Sequence, residues 1–206
     1  MLGKSYLFAS ELDAWRSAVE GAEAQLVQTA SHEYVMSLLN VCQGQYRNGF
    51  KALRLVLELC LQSVYLSSNL VNRAEWLSGT QDTTWARLVD ANDGPLSKKF
   101  CNAFFPEIGE HVAHFRALAQ TLYRELSECI HGNVPIHIPL PESLSFSRES
   151  LELWHSKAGT LRFVISFALA LRYLNGMPSL KRAPLREALL DLLGHIEPIR
   201  LQCVEK

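Results

Sequence analysis

Two residues near the middle of the chain, Arg124 and His131, have the types and the spacing that phosphodiester chemistry uses. Seven residues make nearly two turns of an α-helix, so both side chains project from one face, with Cα atoms about 10 Å apart along the axis. A guanidinium binds two phosphate oxygens at once, and an imidazole exchanges protons near neutral pH. In RNA the 2′-hydroxyl can attack the adjacent phosphate without a metal. The pair therefore predicts a site for RNA cleavage.

Three nearby polar residues extend the predicted site. Ser127 and Glu128 lie between Arg124 and His131 on the same side of the helix and would orient them, and Asn133 would add a hydrogen bond at the helix end. Cleavage needs both an acid and a base, and one histidine supplies only one of them. A symmetric dimer would supply both, because it would bring the Arg124 and His131 pairs of two copies together at one interface. We expect a homodimer or a subunit of a hetero-complex, with RNA as the ligand and no cofactor.

The elements that would position these residues are helical. Apolar residues recur at helical spacing through most of the chain, which predicts an all-α bundle of five to seven helices. The helix that carries the site would begin at Pro106 and end near His131, because a Gly-Asn pair and then Pro135 follow. Three prolines among alternating apolar residues predict an extended arm over 134–146.

The length of the chain suits one hydrophobic core. We expect a single domain over 1–206, with its core within about 31–175. A first helix over 10–30, capped by Ser10, and further helices over 184–204 would pack on that core.

The composition restricts the classes of function. The chain is 48% hydrophobic and 20% charged, which excludes wholesale disorder. Its net charge of −1 makes no global case for nucleic-acid binding, so RNA contact requires a local patch or an assembly. Five cysteines, odd in number and without a CxxC pair, predict buried reduced thiols in a cytoplasmic protein. No stretch reaches about 18 uninterrupted apolar residues, so no membrane span is expected.

A second polar group raises the question of a metal site. His111 and His114 lie three residues apart with Glu107 and Glu110 beside them, and all could face one side of a helix as metal ligands do. No second cluster of ligands has a recognisable spacing. We therefore expect a solvated polar face and no metal.

The segment around the predicted site resembles the HEPN superfamily of helical bundles. Arg124, six residues and then His131 at the end of an amphipathic helix are similar to its R-x4-6-H motif. The stretch from Tyr123 to Gly132 is similar to a Tyr-x2-Leu-Ser-x2-Ile-His-Gly form of such proteins, and 47–58 resembles the first long core helix of prokaryotic members. The resemblance implies a metal-independent endoribonuclease of a phage-defence or toxin–antitoxin system. It also implies a composite site at a homodimer seam, with Arg124 and His131 as the catalytic pair.

A non-catalytic role is the alternative, because the superfamily also contains helical scaffolds and interaction subunits. Glu125 stands where many catalytic members have Asn, Asp or His, and its carboxylate would repel RNA phosphate. The near-neutral charge and the arm over 134–146, which could dock on a partner, favour an accessory subunit of a multi-component defence complex. Arg124 would then pair with Glu128, and His131 would bond to carbonyls at the helix end.

Overall fold

The computed structural model describes residues 2–130 and 144–204, and every regular element in them is helical. The helices are, in chain order, α1 (Leu2–Ala18), α2 (Gly21–Cys42), α3 (Tyr46–Leu66), α4 (Leu70–Leu77), α5 (Trp85–Leu88), α6 (Lys98–Phe104), α7 (Val112–Glu128), α8 (Arg148–Tyr173), α9 (Ser179–Arg182), α10 (Arg186–Leu193) and α11 (Glu197–Val204). The predicted all-α bundle is confirmed, and α1, α2, α3, α7 and α8 form its body. Of the predicted arm, residues 134–143 lie outside the described residues.

Helix α3 is the central helix, as the apolar character of most of its circumference predicts. It packs most extensively against α2 and also contacts α7 and α8. Leu53, Leu57 and Leu61 on this helix are fully buried, and each contributes about 2 kcal/mol relative to an exposed position. The buried apolar side chains form one cluster that runs from Phe8 in α1 to Cys203 in α11.

A tight turn joins α2 to α3 and also contacts the start of α8. Gly44 has φ +76°, and a Cβ there would lie 2.6 Å from the carbonyl oxygen of Ser145. Only glycine combines this backbone with so close an approach. The backbone N–H of Ser147 donates to the hydroxyl of Tyr46 over 2.8 Å, and the Ser147 hydroxyl caps α8 by accepting from the N–H of Ser150. The chain is therefore completely broken between α2 and α3.

The predicted first helix over 10–30 is wrong in its bounds. The structure has α1 over Leu2–Ala18 and begins α2 at Gly21, so Ser10 lies within a helix and caps nothing. The buried stripe of α1 starts with Phe8, before Ser10, which is why the helix extends further toward the N-terminus. The chain breaks where Gly21 adopts φ +67°, a left-handed conformation that other residues rarely adopt.

The helix of the predicted site also starts later than expected. Residues Pro106–Ile108 form a 3-10 turn that buries the Ile108 side chain, and α7 begins only at Val112. The proline starts a helical turn as predicted, but the turn does not continue into α7. Among the helices described, none has an apolar stretch long enough to cross a bilayer.

Four of the five cysteines are buried as predicted: Cys60, Cys101, Cys129 and Cys203. Cys42 is the exception, because the last residue of α2 faces solvent. Burial raises the pKa of the Cys101 thiol to about 11 and raises the pKa values of the thiols of Cys129 and Cys203. Because the thiolate is the reactive form, the raised pKa values further slow chemical modification of these buried thiols.

We therefore expect an alkylating reagent to modify one thiol in dilute native protein, that of Cys42. All five should react in denaturant. Intact-mass spectrometry counts the modified thiols directly, and a Cys42→Ser variant is the control that should show no rapid native labelling. Rapid modification of two or more thiols in the native chain would contradict the burial described here.

A two-pronged ion pair fixes α1 to α8. Arg162 donates through Nε to Glu11 Oε2 over 2.8 Å and through Nη2 to Glu11 Oε1 over 2.6 Å. The side chains of Arg162 and Glu11 are 19% and 11% exposed. Both line a cavity of about 1020 Å³ between α1, α8 and α10, so one side of the pair is open to water.

The variant Arg162→Met is expected to lower the free energy of unfolding by about 2 kcal/mol, because it leaves the Glu11 carboxylate mostly buried without its main partner. The loss is smaller than for a fully buried pair because water reaches the cavity. Chemical denaturation measures it, and Arg186→Met, on the exposed rim of the same cavity, should change stability by less than about 0.5 kcal/mol. Equal stabilities of the two variants would show that the pair contributes nothing.

Candidate functional site at the end of α7

The buried face of α7 sets the direction in which Arg124 points. Val112, Phe115, Ala119, Leu122 and Leu126 form its buried stripe. The Phe115 ring stacks on Phe167 of α8, with centroids 3.7 Å apart and ring planes 2° apart. The packing of this stripe fixes the orientation of α7 about its own axis. Arg124 lies on the opposite side of the helix, with 71% of its side chain exposed.

Arg124 has one weak partner on its own helix. Its Nε lies 3.8 Å from Oε1 of Glu128, inside ion-pair range but beyond hydrogen-bonding distance. Exposed pairs one helical turn apart contribute only about 0.3–0.5 kcal/mol. A phosphate that binds two guanidinium nitrogens can therefore displace this contact. The structure brings Arg124 and Glu128 together, as their spacing predicts.

The other predicted site residues are not part of this contact. The Ser127 hydroxyl donates to the Tyr123 carbonyl over 2.6 Å, so it is engaged within its own helix. This bond uses the Ser127 proton, so the hydroxyl could meet a guanidinium only as an acceptor. His131 and Asn133 lie outside the described residues.

Glu125, the carboxylate beside Arg124, has a cationic partner on the next helix. Its Oε2 lies 2.8 Å from Nζ of Lys157 in α8, and the Lys157 side chain is only 19% exposed. The partial burial of the lysine reduces screening of this pair by solvent. The repulsion of RNA phosphate expected from Glu125 is therefore largely offset by Lys157.

A second guanidinium, that of Arg47, reaches the end of α7 from the first turn of α3. Its Nη2 donates to the carbonyl of Ile130, the residue before His131. Its Nε is buried and has no hydrogen-bond partner among the described residues. A cation at a helix C-terminus stabilises the exposed carbonyls there. The sequence pattern does not reveal this contact, because 83 residues separate the two partners.

An aromatic and charged cluster holds α7 next to Arg124. Tyr123 stacks on Trp85 of α5 with ring centroids 3.8 Å apart, and the Arg54 guanidinium lies 4.5 Å from the Tyr123 ring centroid. Arg54 also pairs with Glu58 over 3.2 Å, as their spacing predicts. Burial and then the Glu58 carboxylate raise the pKa of Tyr123, although Arg54 lowers it, so its hydroxyl stays protonated at neutral pH. These contacts tie α7 to α3 and α5.

The histidines near the start of α7 do not converge. His111 lies 3.4 Å from the carboxylate of Glu110, and the His114 ring packs edge-on against Phe115. In residues 2–130 and 144–204, no three His, Cys, Asp or Glu side chains come together in a group that could hold a metal ion. The side chains of Glu107, Glu110 and His114 are exposed and that of His111 is half-buried.

Comparison of the chain with protein-family models, with curated proteins and with solved structures finds no match. The residues at the end of α7 and their neighbours are therefore the basis on which a function is assigned.

Proposed function

We propose that the chain is a HEPN-like, metal-independent endoribonuclease that uses Arg124 and His131 as its catalytic pair. Arg124 binds the non-bridging oxygens of the scissile phosphate. His131 removes the proton from the 2′-hydroxyl, whose oxygen then attacks phosphorus. The P–O5′ bond breaks, and His131 of a second copy protonates the departing 5′-oxygen. The products are a 2′,3′-cyclic phosphate and a 5′-hydroxyl.

The observation that carries this proposal is the exposed guanidinium of Arg124 at the end of α7. The side chain is 71% exposed, and among the described residues it has only the long contact to Glu128. A buried or fully paired guanidinium would have to break good contacts before it bound phosphate, whereas this one does not. The HEPN-like motif then supplies a titratable imidazole seven residues further on.

The charge around the helix end also supports binding of a polyanion. Arg47, Arg124 and Lys157 supply three positive charges there, against the two carboxylates of Glu125 and Glu128. The local balance is therefore +1 in a chain whose net charge is −1. A local excess of this kind attracts phosphate although the whole chain does not.

The test is incubation of the purified chain with a labelled single-stranded RNA in the presence of a metal chelator. We expect internal cleavage and products that end in a 2′,3′-cyclic phosphate, detected by mass spectrometry. An all-deoxy strand of the same sequence is the control, and it should stay intact because it lacks the attacking hydroxyl. Cleavage of both strands, or of neither, would contradict the proposal.

The proposal includes a biological setting, which the resemblance implies: a phage-defence or toxin–antitoxin system in the cytoplasm. A second candidate within that setting is a non-catalytic subunit that binds partner proteins. Two contacts of a structural kind support this candidate. The Ser127 hydroxyl donates to the Tyr123 carbonyl, and Arg124 lies within ion-pair range of Glu128. An inactive chain that co-purifies with a neighbouring gene product would favour this candidate.

A further inference from the structure

The outward face of α2 carries no Asp, Glu, Lys or Arg. Its exposed residues after the first position are Gln25, Gln28, Thr29, His32, Val35, Met36, Leu39 and Cys42, and they are called the α2 face below. The helix has two acidic residues, but Glu23 is buried and Glu33 is half-buried. Surface helices normally place charged residues on the side away from the core, so this face differs from an ordinary solvated one.

The second half of the α2 face is apolar and strongly exposed. Val35, Met36 and Leu39 are 40%, 50% and 47% exposed. Two further exposed apolar residues lie on the chain before α8, where Leu144 and Phe146 are 64% and 72% exposed. The two parts are neighbours because Ser145, between Leu144 and Phe146, approaches Gly44 just after the end of α2. Strongly exposed apolar side chains grouped at one end of the bundle are typical of an interaction site.

We infer that a second copy of this chain binds along the α2 face. In a two-fold contact the same surface meets itself, so any charge near the axis lies close to its own copy and is repelled. The α2 face has no fixed charge to be repelled. From Gln25 to Cys42 it spans about 26 Å at the rise of an α-helix, which approaches the width of a small domain. It also lacks the cations that binding of RNA phosphate requires.

The C-terminal part of the α2 face lies at the same end of the bundle as the C-terminus of α7. Gly44 follows α2 and approaches Ser145, and Arg47 in the next turn donates to Ile130 at the end of α7. The inference itself is independent of RNA cleavage. A dimer without nuclease activity would leave it intact and would contradict only the proposed function.

Sedimentation equilibrium of the full chain tests the inference. We expect a dimer at micromolar concentrations, and we expect Leu39→Glu and Met36→Glu each to weaken dimerisation at least about 100-fold, the effect of burying an unpaired charge at a central contact. The matched control is Leu180→Glu on α9, where the leucine is 86% exposed and outside the α2 face. It should leave the dimer unchanged. Circular dichroism should show the same helical content in all variants.

A mixing experiment tests the two-fold geometry. We expect Leu39→Glu and Leu39→Lys chains to be monomeric alone and to form a heterodimer when mixed, because opposite charges then meet at the position nearest the middle of the apolar half. A mixture that stays monomeric would overturn two-fold pairing at this position. A wild-type chain that is monomeric throughout, or a dimer that both glutamate substitutions leave intact, would overturn the inference as a whole. A monomer that uses the α2 face for a different protein would also overturn it.

Discussion

Replacing His131 with alanine, or Arg124 with glutamine, is expected to slow RNA cleavage by at least about 100-fold. The alanine variant removes the group that accepts the 2′-hydroxyl proton. The glutamine variant removes the charge that stabilises the extra negative charge on the phosphate during attack. Single-turnover rates on a defined RNA measure both effects, because they separate the chemical step from product release.

The exposure of Arg124 makes this prediction specific to catalysis. Its side chain is 71% exposed, and its one polar contact within the described part of the chain, to Glu128, is 3.8 Å long. Arg124→Gln should therefore change the free energy of unfolding by less than about 0.5 kcal/mol. The matched control is Arg200→Gln in α11, an arginine that is 51% exposed and pairs with Glu197 on its own helix. It should retain full activity. Equal cleavage by wild type and His131→Ala would identify the activity as that of another protein.

Those parts of the fold that depend on local pattern were predictable. Apolar residues at helical spacing predict the all-α bundle, and the apolar circumference of α3 predicts its central position. The wrong predictions concern residues whose type is compatible with two different local structures. Ser10 suits a helix cap by type, but buried residues on both sides of it continue the helix. Pro106 suits a first turn, and whether that turn continues into α7 depends on the burial of Ile108.

The candidate site was predictable only along its own helix. Arg124 and Glu128 meet because residues four apart on a helix are neighbours. Arg47 reaches α7 from α3, and Lys157 reaches Glu125 from α8, and both contacts exist only because α3, α7 and α8 pack together. The α2 face also depends on the packing of helices against one another. Its uncharged residues appear in the sequence, but which of them face solvent depends on how α1 and α3 cover the other sides of α2.

A chain of buried hydrogen bonds between α8, α2 and α3 gives the largest expected effect on stability. Trp154 of α8 is fully buried, and its indole Nε1 donates to the Ser37 hydroxyl over 2.9 Å. That hydroxyl donates in turn to the carbonyl of Gly49 over 2.7 Å. At Gly49 the helices α2 and α3 are so close that a Cβ would lie 2.5 Å from a methyl carbon of Val41. One indole therefore links α8 to α2 and, through the Ser37 hydroxyl, to α3, the three longest helices described.

We expect Trp154→Ala to lower the free energy of unfolding by about 4 kcal/mol, since it removes a large buried side chain and leaves a cavity that the close-packed helices cannot fill. That loss is a large fraction of the roughly 5–15 kcal/mol that stabilises a typical domain. Guanidinium denaturation followed by circular dichroism measures it. The matched control is Trp76→Ala in α4, a helix with no buried residue, and its loss should be well under half as large. Equal losses would show that the Trp154–Ser37–Gly49 connection does not hold the bundle together.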